Sequence, residues 1–326
     1  MTSVMGLRGW AGVLVLGGCG VLHNLAAEAA EVFPAKPVRL VVPQAAGGGI
    51  DFMARLIGVK LSDSTGQSFV VDNRTGAGST IGTNIVAKAA PDGYTLLANS
   101  ISMAFNDTLY SKLPYDSIKD FSPVSLLAIS ANVLTVGPSS SAKTVQDLVQ
   151  LAKSRPGKLN YGSGGIGGSD HVCSEYFQSV TGTKLVNVSY RGSAPALADL
   201  AAGMIEMAFA PIASGMPLIT SGKLRALGVS TTKRAPLLPT VPTLIEAGVP
   251  KFDYSTWYGI WATGGVLQPV VAKLNSEIGK ALQAVDVRER MAALGAEASW
   301  SNAQQFSTFY QSEIKRWEPL LRTFAQ

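Results

Sequence analysis

The sequence predicts an α/β protein of two lobes, each a mainly parallel β-sheet with flanking helices, with crossing strands as a hinge between the lobes. Short β-branched runs alternate with amphipathic helical stretches along most of the chain, a pattern typical of βαβ units. Two longer β-like stretches, residues 121–136 and 254–262, contain no helix and are the candidate crossings. The 326 residues, 47% of them hydrophobic, are enough for a sizeable core.

The first hundred residues alternate between strand and helix. β-branched runs predict the strands, and apolar residues at spacings of three and four predict the helices. Glycine clusters mark the turns from strand to helix. The predicted elements are a strand at 38–43, a helix around 52–61, a strand at 68–72, a helix around 81–86 and a strand at 94–98.

The same alternation resumes after residue 140, and the last third is mostly helical. The predicted elements are a helix at 145–152, a strand at 159–161, a helix from 169 to about 180, a strand at 185–190, a helix at 194–202, strands at 205–209 and 224–229, and helices at 270–294 and 303–324.

The candidate crossings divide the chain into lobes. They predict a first lobe of residues 31–131 plus 259–326 and a second lobe of about 132–258. A cleft between two α/β lobes is a common place for a ligand, and crossing strands suit a hinge. We therefore expect the functional residues to face such a cleft.

The N-terminus reads as a secretory signal, residues 1–29. Arg8 supplies the positive charge, residues 10–22 are apolar, and small residues at 27 and 29 form a cleavage site. The sequence thus predicts an exported mature protein that starts near Ala30. An alternative is lipoprotein processing, since Leu16-Gly-Gly-Cys19 resembles a lipoprotein box and Cys19 would then carry the lipid.

Charged residues are few and scattered. Lys and Arg number 27 against 22 Asp and Glu, a net charge of +5 without a basic run, so no nucleic-acid partner is expected. After removal of the leader Cys173 is the remaining cysteine, so no internal disulfide is expected. Its simplest interpretation is a small buried residue.

Three glycine-rich loops follow predicted strands and precede predicted helices. In open α/β sheets ligands lie beyond the carboxyl ends of strands, and helix starts offer free N–H donors and a positive dipole end. The loops would suit a carboxylate or phosphate; ordinary strand-to-helix turns are the alternative. The carboxylate of Asp51 could bond backbone N–H groups or accept from a ligand. The candidate binding residues of these loops are Gly47, Gly48, Gly49, Asp51, Ser79, Thr80, Ser163, Gly164, Gly168 and Ser169.

Five further residues are candidates for ligand contact. Asn99 and Ser100 end the third predicted strand, and Arg191 follows a later one, where it could pair with a ligand carboxylate or be a surface residue. His171 lies at a helix start and could contact the ligand. Trp257 could form the floor of the cleft or belong to the core.

Motifs of common enzyme classes are missing or incomplete. Residues 162–167 match the glycine spacing of a dinucleotide loop, but no acidic residue lies at 180–190, where the ribose contact is expected. His171 is the one histidine after the leader, which disfavours a serine triad or a zinc site. No cofactor, metal or catalysis is expected; an exported hydrolase centred on His171 is an alternative.

A series of short motifs runs over essentially the whole mature chain. They are KPVRLVVP at 36–43, GGGID at 47–51, NRTGAG at 73–78, APDGYTLL at 90–97, LPYD at 113–116, KDF at 119–121, PGKLNY at 156–161, YRGSAPA at 190–196, GKLRA at 222–226, PTVPT at 239–243 and WYG at 257–259. Together they resemble the Bug-type substrate-binding proteins of tripartite tricarboxylate transporters.

The resemblance implies a periplasmic receptor of the two-lobed type II, or Venus flytrap, class. Such receptors commonly bind small organic carboxylates and deliver them to membrane permease subunits or to a sensor-kinase ectodomain. It also implies that one ligand carboxylate is held, partly through ordered waters, by the loop after the first strand and by the facing loop of the second lobe. Those segments lie around Gly47, Gly48 and Asp51, and around Ser163, Gly164 and Ser169.

One position departs from the family pattern. Relatives often have an acidic residue where this chain has Ala210-Pro211, which makes amino-acid ligands a poorer expectation. The resemblance leaves a transport role and a sensing role open, and a monomer is the expected state.

Overall fold

The computed structural model describes residues 33–324. The predicted signal segment, residues 1–29, and Cys19 lie outside the described residues. Within residues 33–324, no helix is long and apolar enough to cross a membrane.

Six strands form a first sheet. They are β1 (Val38–Val42), β2 (Phe69–Asn73), β3 (Thr95–Ser100), β4 (Phe121–Ser130), β10 (Thr256–Thr263) and β11 (Ala296–Ala298). Their order is β11-β4-β10-β3-β1-β2. β1 is apolar and buried except at Arg39, as expected for a strand with helices on both faces.

Five strands form a second sheet. They are β5 (Asn132–Val136), β6 (Asn160–Ser163), β7 (Val186–Ser189), β8 (Met207–Pro211) and β9 (Arg225–Val229). Their order is β7-β6-β8-β5-β9. The chain passes from the first sheet to the second between Ser130 and Asn132 and returns to the first at Thr256.

Among the described residues, ten α-helices cover the sheets. They are α1 (Gly49–Thr65), α2 (Thr80–Ala87), α3 (Ser102–Leu109), α4 (Val145–Ser154), α5 (Ser169–Thr181), α6 (Ser193–Ala201), α7 (Ile212–Thr220), α8 (Gln268–Gln283), α9 (Val285–Ala292) and α10 (Ala303–Leu321). Capping boxes begin α4, from Thr144 to Asp147, and α10, from Asn302 to Gln305.

The two-sheet α/β architecture agrees with the prediction, but the sheets are mixed rather than mainly parallel. β1 pairs parallel with β2 and β3, and β6 pairs parallel with β7 and β8. β10 runs antiparallel to β3 and β4, and β5 runs antiparallel to β8 and β9. β5 and β10, the strands that follow the two crossings, therefore oppose the βαβ strands of their sheets, whereas β4, which leads into the first crossing, runs in the same direction as β3.

Three elements were not expected from the sequence. α3 is buried on most of its surface, so it lacks the polar face that gives a helix its periodicity. α7 contains Pro217, and β11 is a three-residue edge strand. The predicted helix at 270–294 is divided at Ala284, whose φ of −62° and ψ of 132° are extended.

The C-terminal helix α10 packs across the return crossing. Trp257 and Trp261 of β10 lie against Phe306 of α10, with ring centres 6.1 and 4.8 Å apart. Further along α10, Trp317 packs against Tyr254, which immediately precedes the crossing, at 5.0 Å. α10 therefore contacts both the first sheet and the segment that leads into it.

Candidate ligand-binding site

The β1–α1 loop (residues 43–48) ends at a helix start without a side-chain cap. Gly48 is the N-cap, and Gly47 has φ +82°, a conformation that favours glycine. A Cβ on Gly49 would overlap the Tyr258 hydroxyl, so this position needs glycine for space. Asp51, in the first turn of α1, accepts from the Gly47 N–H at 3.0 Å. Its carboxylate therefore fixes the loop, one of the two roles expected for it.

Two more groups bond to the Asp51 carboxylate. Arg55 Nε lies 3.1 and 3.0 Å from its two oxygens, and Asn73 Nδ2 donates to Oδ1 at 2.9 Å. Burial alone would raise the pKa of Asp51. The hydrogen bonds from Arg55, Gly47 and Asn73, with the charge of Arg55, outweigh burial and hold that pKa below its ordinary value. Asp51 is therefore an ionised, charge-compensated group.

A polar chain connects the ends of the first three strands. Asn73 donates to the Gln44 carbonyl at 3.1 Å, and Gln44 Nε2 donates to Ser100 Oγ at 2.9 Å. Ser100 Oγ lies 3.1 Å from Ser102 Oγ, which donates to Asn99 Oδ1 at 3.2 Å. Asn99 and Ser100 are buried and hydrogen-bonded within this layer. Asn99 and Ser100 therefore support the β1–α1 loop through Gln44.

The β2–α2 loop (residues 74–79) has strained backbone. Ala77, Gly78 and Ser79 have φ of 44°, 58° and 80°, three left-handed residues in succession, two of which are not glycine. Such strain costs on the order of 1–3 kcal/mol per residue and tends to be kept at ligand sites. Thr80 Oγ1 donates to the Ala77 carbonyl at 2.8 Å, and the N-cap Ser79 makes no side-chain cap. The start of α2 thus also presents an uncapped end.

The β6–α5 loop (residues 164–168) repeats the backbone device of the β1–α1 loop. Gly168 is the N-cap of α5 in an extended conformation, again without a side-chain cap. Asp170, in the first turn of α5, accepts from the Gly164 N–H at 2.7 Å, from Ser193 Oγ at 2.9 Å and from the His171 N–H at 2.9 Å. The aspartate ties this loop to the start of α6.

Burial shifts the pKa of two neighbouring residues in the first turn of α5, Asp170 and His171. It raises the pKa of Asp170 despite the hydrogen bonds from Gly164, Ser193 and His171. It lowers the pKa of His171 to about 4. His171 is therefore neutral at neutral pH, and its Nδ1 accepts from the Gly167 N–H at 3.4 Å. The hydrogen bond from Gly167 supports the loop, and the neutral imidazole contributes no positive charge to the site.

The two serines predicted in the second lobe have protein partners. Ser163 is fully buried and donates to Asn187 Oδ1 at 2.8 Å. Ser169, half-buried, contacts Asn132, Thr256 and Tyr254. Neither hydroxyl is free in this conformation.

Arg191 and Trp257 have opposite surroundings. Arg191 is exposed beside the β6–α5 loop, because the next residue, Gly192, donates its N–H to the Gly164 carbonyl at 3.0 Å. Trp257 is 1% exposed in the aromatic core, and its Nε1 donates to Glu313 at 3.0 Å. The expectation that Trp257 forms the floor of a cleft is therefore corrected: its core alternative is what the structure has.

The candidate residues thus fall into three groups. One surrounds the β1–α1 loop, one the β2–α2 loop and one the β6–α5 loop, while Trp257 stands apart. In that order the groups are Gly47, Gly48, Gly49, Asp51, Asn99 and Ser100; Ser79 and Thr80; and Ser163, Gly164, Gly168, Ser169, His171 and Arg191.

Sequence reasoning missed the residues that hold these loops. Arg55 lies four residues after Asp51, an ordinary helical pair that could have been noticed. Asn73 and Ser193 had no such local signal, because they reach the aspartates only through the pairing of parallel strands. Asn132 and Thr256 reach Ser169 only through the crossings.

Other kinds of site find little support in residues 33–324. No group of His, Cys, Asp and Glu there could hold a metal ion. Cys173 is fully buried, which confirms its interpretation from the sequence.

Two recesses lie beside α3 and the end of α10, with volumes of about 470 and 260 Å³, and neither is lined by the β1–α1 loop. What the three loops share is uncapped helix starts, which can receive an anion.

These features define a class: a two-lobed α/β binding protein whose glycine loops lie at the carboxyl ends of parallel strands. The family model "Tripartite tricarboxylate transporter family receptor" matches residues 53–325. Protein BugT of Bordetella pertussis is 37% identical over 295 residues, 90% of each chain.

Solved structures agree. Rpa4515 of R. palustris, determined with adipate, is 36% identical with a TM-score of 0.85, covering 89% of this chain and 98% of that one. MatC of Rhodopseudomonas palustris, with bound malate, is 32% identical with a TM-score of 0.82, covering 89% and 100%. The chain belongs to the tripartite tricarboxylate transporter receptor family, and it is a periplasmic solute-binding receptor of the Bug type.

Proposed function

We propose that this receptor captures a small organic carboxylate between its lobes and presents it to membrane permease subunits. The observation that carries the proposal is that α1 and α5, the helices that follow β1 and β6, each begin at a glycine N-cap without a side-chain cap. First-turn N–H groups without intrahelical partners and the positive end of the helix dipole both favour a carboxylate. The adipate and malate found in two related structures belong to this chemical class.

The proposal assigns the lobes as residues 31–131 plus 259–326 and residues 132–258. The sheet pairing supports this division except at the return crossing: β1–β4 lie in one sheet and β5–β9 in the other, but β10 already pairs in the first sheet from Thr256. A ligand that contacts both lobes only in the closed state would shift the hinge toward closure. The closed surface would then be what the permease recognises, with the protein as a monomer and residues 1–29 as the export signal.

The proposed ligand contacts come from the loops rather than from any catalytic group. In the first lobe they are the N–H groups at the start of α1 together with Ser79 and Thr80. In the second lobe they are the β6–α5 backbone and Arg191. We propose no catalysis: His171 is buried and neutral, and its Nδ1 bonds to Gly167. This arrangement also weakens the hydrolase alternative.

Calorimetric titration of the mature protein tests the proposal. The protein is unfolded and refolded to remove bound ligand, then titrated with mono-, di- and tricarboxylates, aromatic acids and amino acids. One-to-one binding of an acid is expected, weakened about fivefold by Ser79→Ala, which removes one hydrogen bond. Ser221→Ala, at the end of α7, is the control and should bind normally. A folded protein that binds none of the acids would overturn the proposal.

A further inference from the structure

Three polar side chains form a closed ring at Ser169. Asn132 Nδ2 donates to Ser169 Oγ at 3.2 Å, and Thr256 Oγ1 donates to Asn132 Oδ1 at 3.0 Å. Ser169 Oγ and Thr256 Oγ1 are also hydrogen-bonded. Because the Thr256 hydrogen is used on Asn132, Ser169 is the donor in that last bond. Each hydroxyl of the ring then donates once and accepts at least once.

The ring joins three functionally distinct places in the chain. Asn132 is the first residue of β5, directly after the first crossing, and Thr256 is the first residue of β10, at the return crossing. Ser169 is the first residue of α5, directly after the β6–α5 loop. Asn132 and Thr256 are 0% and 2% exposed, so water cannot easily replace a lost partner.

Further hydrogen bonds join the residues around this ring. The Asn132 N–H donates to Ser230 Oγ at 2.8 Å, and Ser230 Oγ donates to the Tyr254 carbonyl at 2.7 Å. The Tyr254 hydroxyl donates to the Ser169 carbonyl at 2.8 Å. Both crossings and the main chain of Ser169 are therefore fixed together.

We propose that Asn132, Thr256 and Ser169 are positioning residues that set the β6–α5 loop relative to the hinge. Ser169 then serves ligand binding through the place it gives the loop rather than by direct contact. A carboxylate can only accept hydrogen bonds, and the Ser169 hydrogen is already donated to Thr256. The proposal deepens the proposed function and rests on it.

A double-mutant cycle separates positioning from contact. Ser169→Ala, Thr256→Val and the double variant are titrated with adipate and with malate. If the ring acts as a unit, each single change weakens binding about five- to tenfold and the double change weakens it no further. Thr256→Ser keeps the ring hydroxyl and should restore the affinity. Losses that multiply in the double variant would show that Ser169 contacts the ligand itself and would overturn the proposal.

A second measurement does not depend on any ligand. Amide hydrogen exchange of residues 165–168 in the ligand-free mature protein should become faster in Thr256→Val and stay unchanged in Thr256→Ser. Unchanged exchange in Thr256→Val would overturn the proposal. If neither acid binds the wild type, the calorimetric panel decides the proposed function and the exchange rates decide the ring. Should Thr256→Val not fold, Ser169→Ala, at a half-buried position, gives the same exchange readout.

Discussion

The β1–α1 loop places Asp51 against the N–H of Gly47, and the β6–α5 loop places Asp170 against the N–H of Gly164. Both helices begin at a glycine without a side-chain cap. The surroundings of the two carboxylates differ. Asp51 bonds to Arg55, whereas the hydrogen-bond donors to Asp170 are all neutral.

The difference has opposite effects on the two pKa values. Arg55, Gly47 and Asn73 more than offset burial and hold the pKa of Asp51 low, while burial raises the pKa of Asp170. A glycine N-cap followed by a first-turn aspartate thus occurs twice: Arg55 compensates the charge of Asp51, whereas burial disfavours the charge of Asp170. The two helix starts therefore differ in the electrostatics of their first-turn aspartates.

The largest expected effect concerns His171, in the first turn of α5. The pKa of His171 falls to about 4 because of burial, so its neutral form is favoured in the fold. Its contribution to stability is present above its ordinary pKa of about 6.5 and is lost as the pH falls toward 4, by roughly 3 kcal/mol. His171→Gln should remove this part of the pH dependence, measured by urea unfolding at pH 7 and pH 4.

A matched control keeps the titrating group. Phe324→Leu removes the ring that packs edge-on against His171, with centres 5.3 Å apart. It should retain the pH dependence of the wild type apart from a small change. If His171→Gln lost stability with falling pH as steeply as the wild type, the acid sensitivity would arise elsewhere.

Replacing the two aspartates by alanine should lower the free energy of unfolding by different amounts. Asp170→Ala leaves the Gly164 N–H, the Ser193 hydroxyl and the His171 N–H without their acceptor in a buried place, so we expect a loss of about 3 kcal/mol. Asp51→Ala should cost about 1–2 kcal/mol, because Arg55 is half exposed and can be rehydrated. Urea unfolding at pH 7 measures both, and equal losses would contradict the difference between the loops.

A smaller effect is expected in the pH dependence of stability of Asp51→Asn and Asp170→Asn, and it should have opposite signs in the two variants. The lowered pKa of Asp51 contributes stability above its unfolded pKa of about 4, lost as the pH falls through the folded value. The raised pKa of Asp170 contributes stability below about pH 4 that is lost as the pH rises through the folded value. Relative to the wild type, Asp51→Asn should become less stable as the pH rises, and Asp170→Asn more stable. If the stability of both variants relative to the wild type changed in the same direction with pH, the difference between the two aspartates would be contradicted.

Much of the fold followed from local patterns, and part of the site did not. The strands at β1, β2 and β3 follow from β-branched runs, and the loops follow from their glycines. The partners of the loops depend on pairing between distant residues, such as Asn73 with Asp51, which no local pattern encodes. Trp257 could equally be core or cleft, because an apolar strand residue looks the same in either place.

The smallest expected effect is on ligand affinity when Arg191 or Arg55 is replaced. These two substitutions compare directly how each loop contributes to binding. Arg191 is exposed near the Gly164 carbonyl, whereas the charge of Arg55 is largely used on Asp51. An exposed cation contributes at most about 1 kcal/mol, so Arg191→Gln should weaken binding of the acid identified by calorimetry about two- to fivefold. Because salt screens such interactions, the loss should shrink in 0.5 M salt. Arg55→Gln should act mainly through the position of the β1–α1 loop, so its loss should persist in salt. If the two variants responded alike to salt, the charge facing a ligand in the second lobe would not come from Arg191.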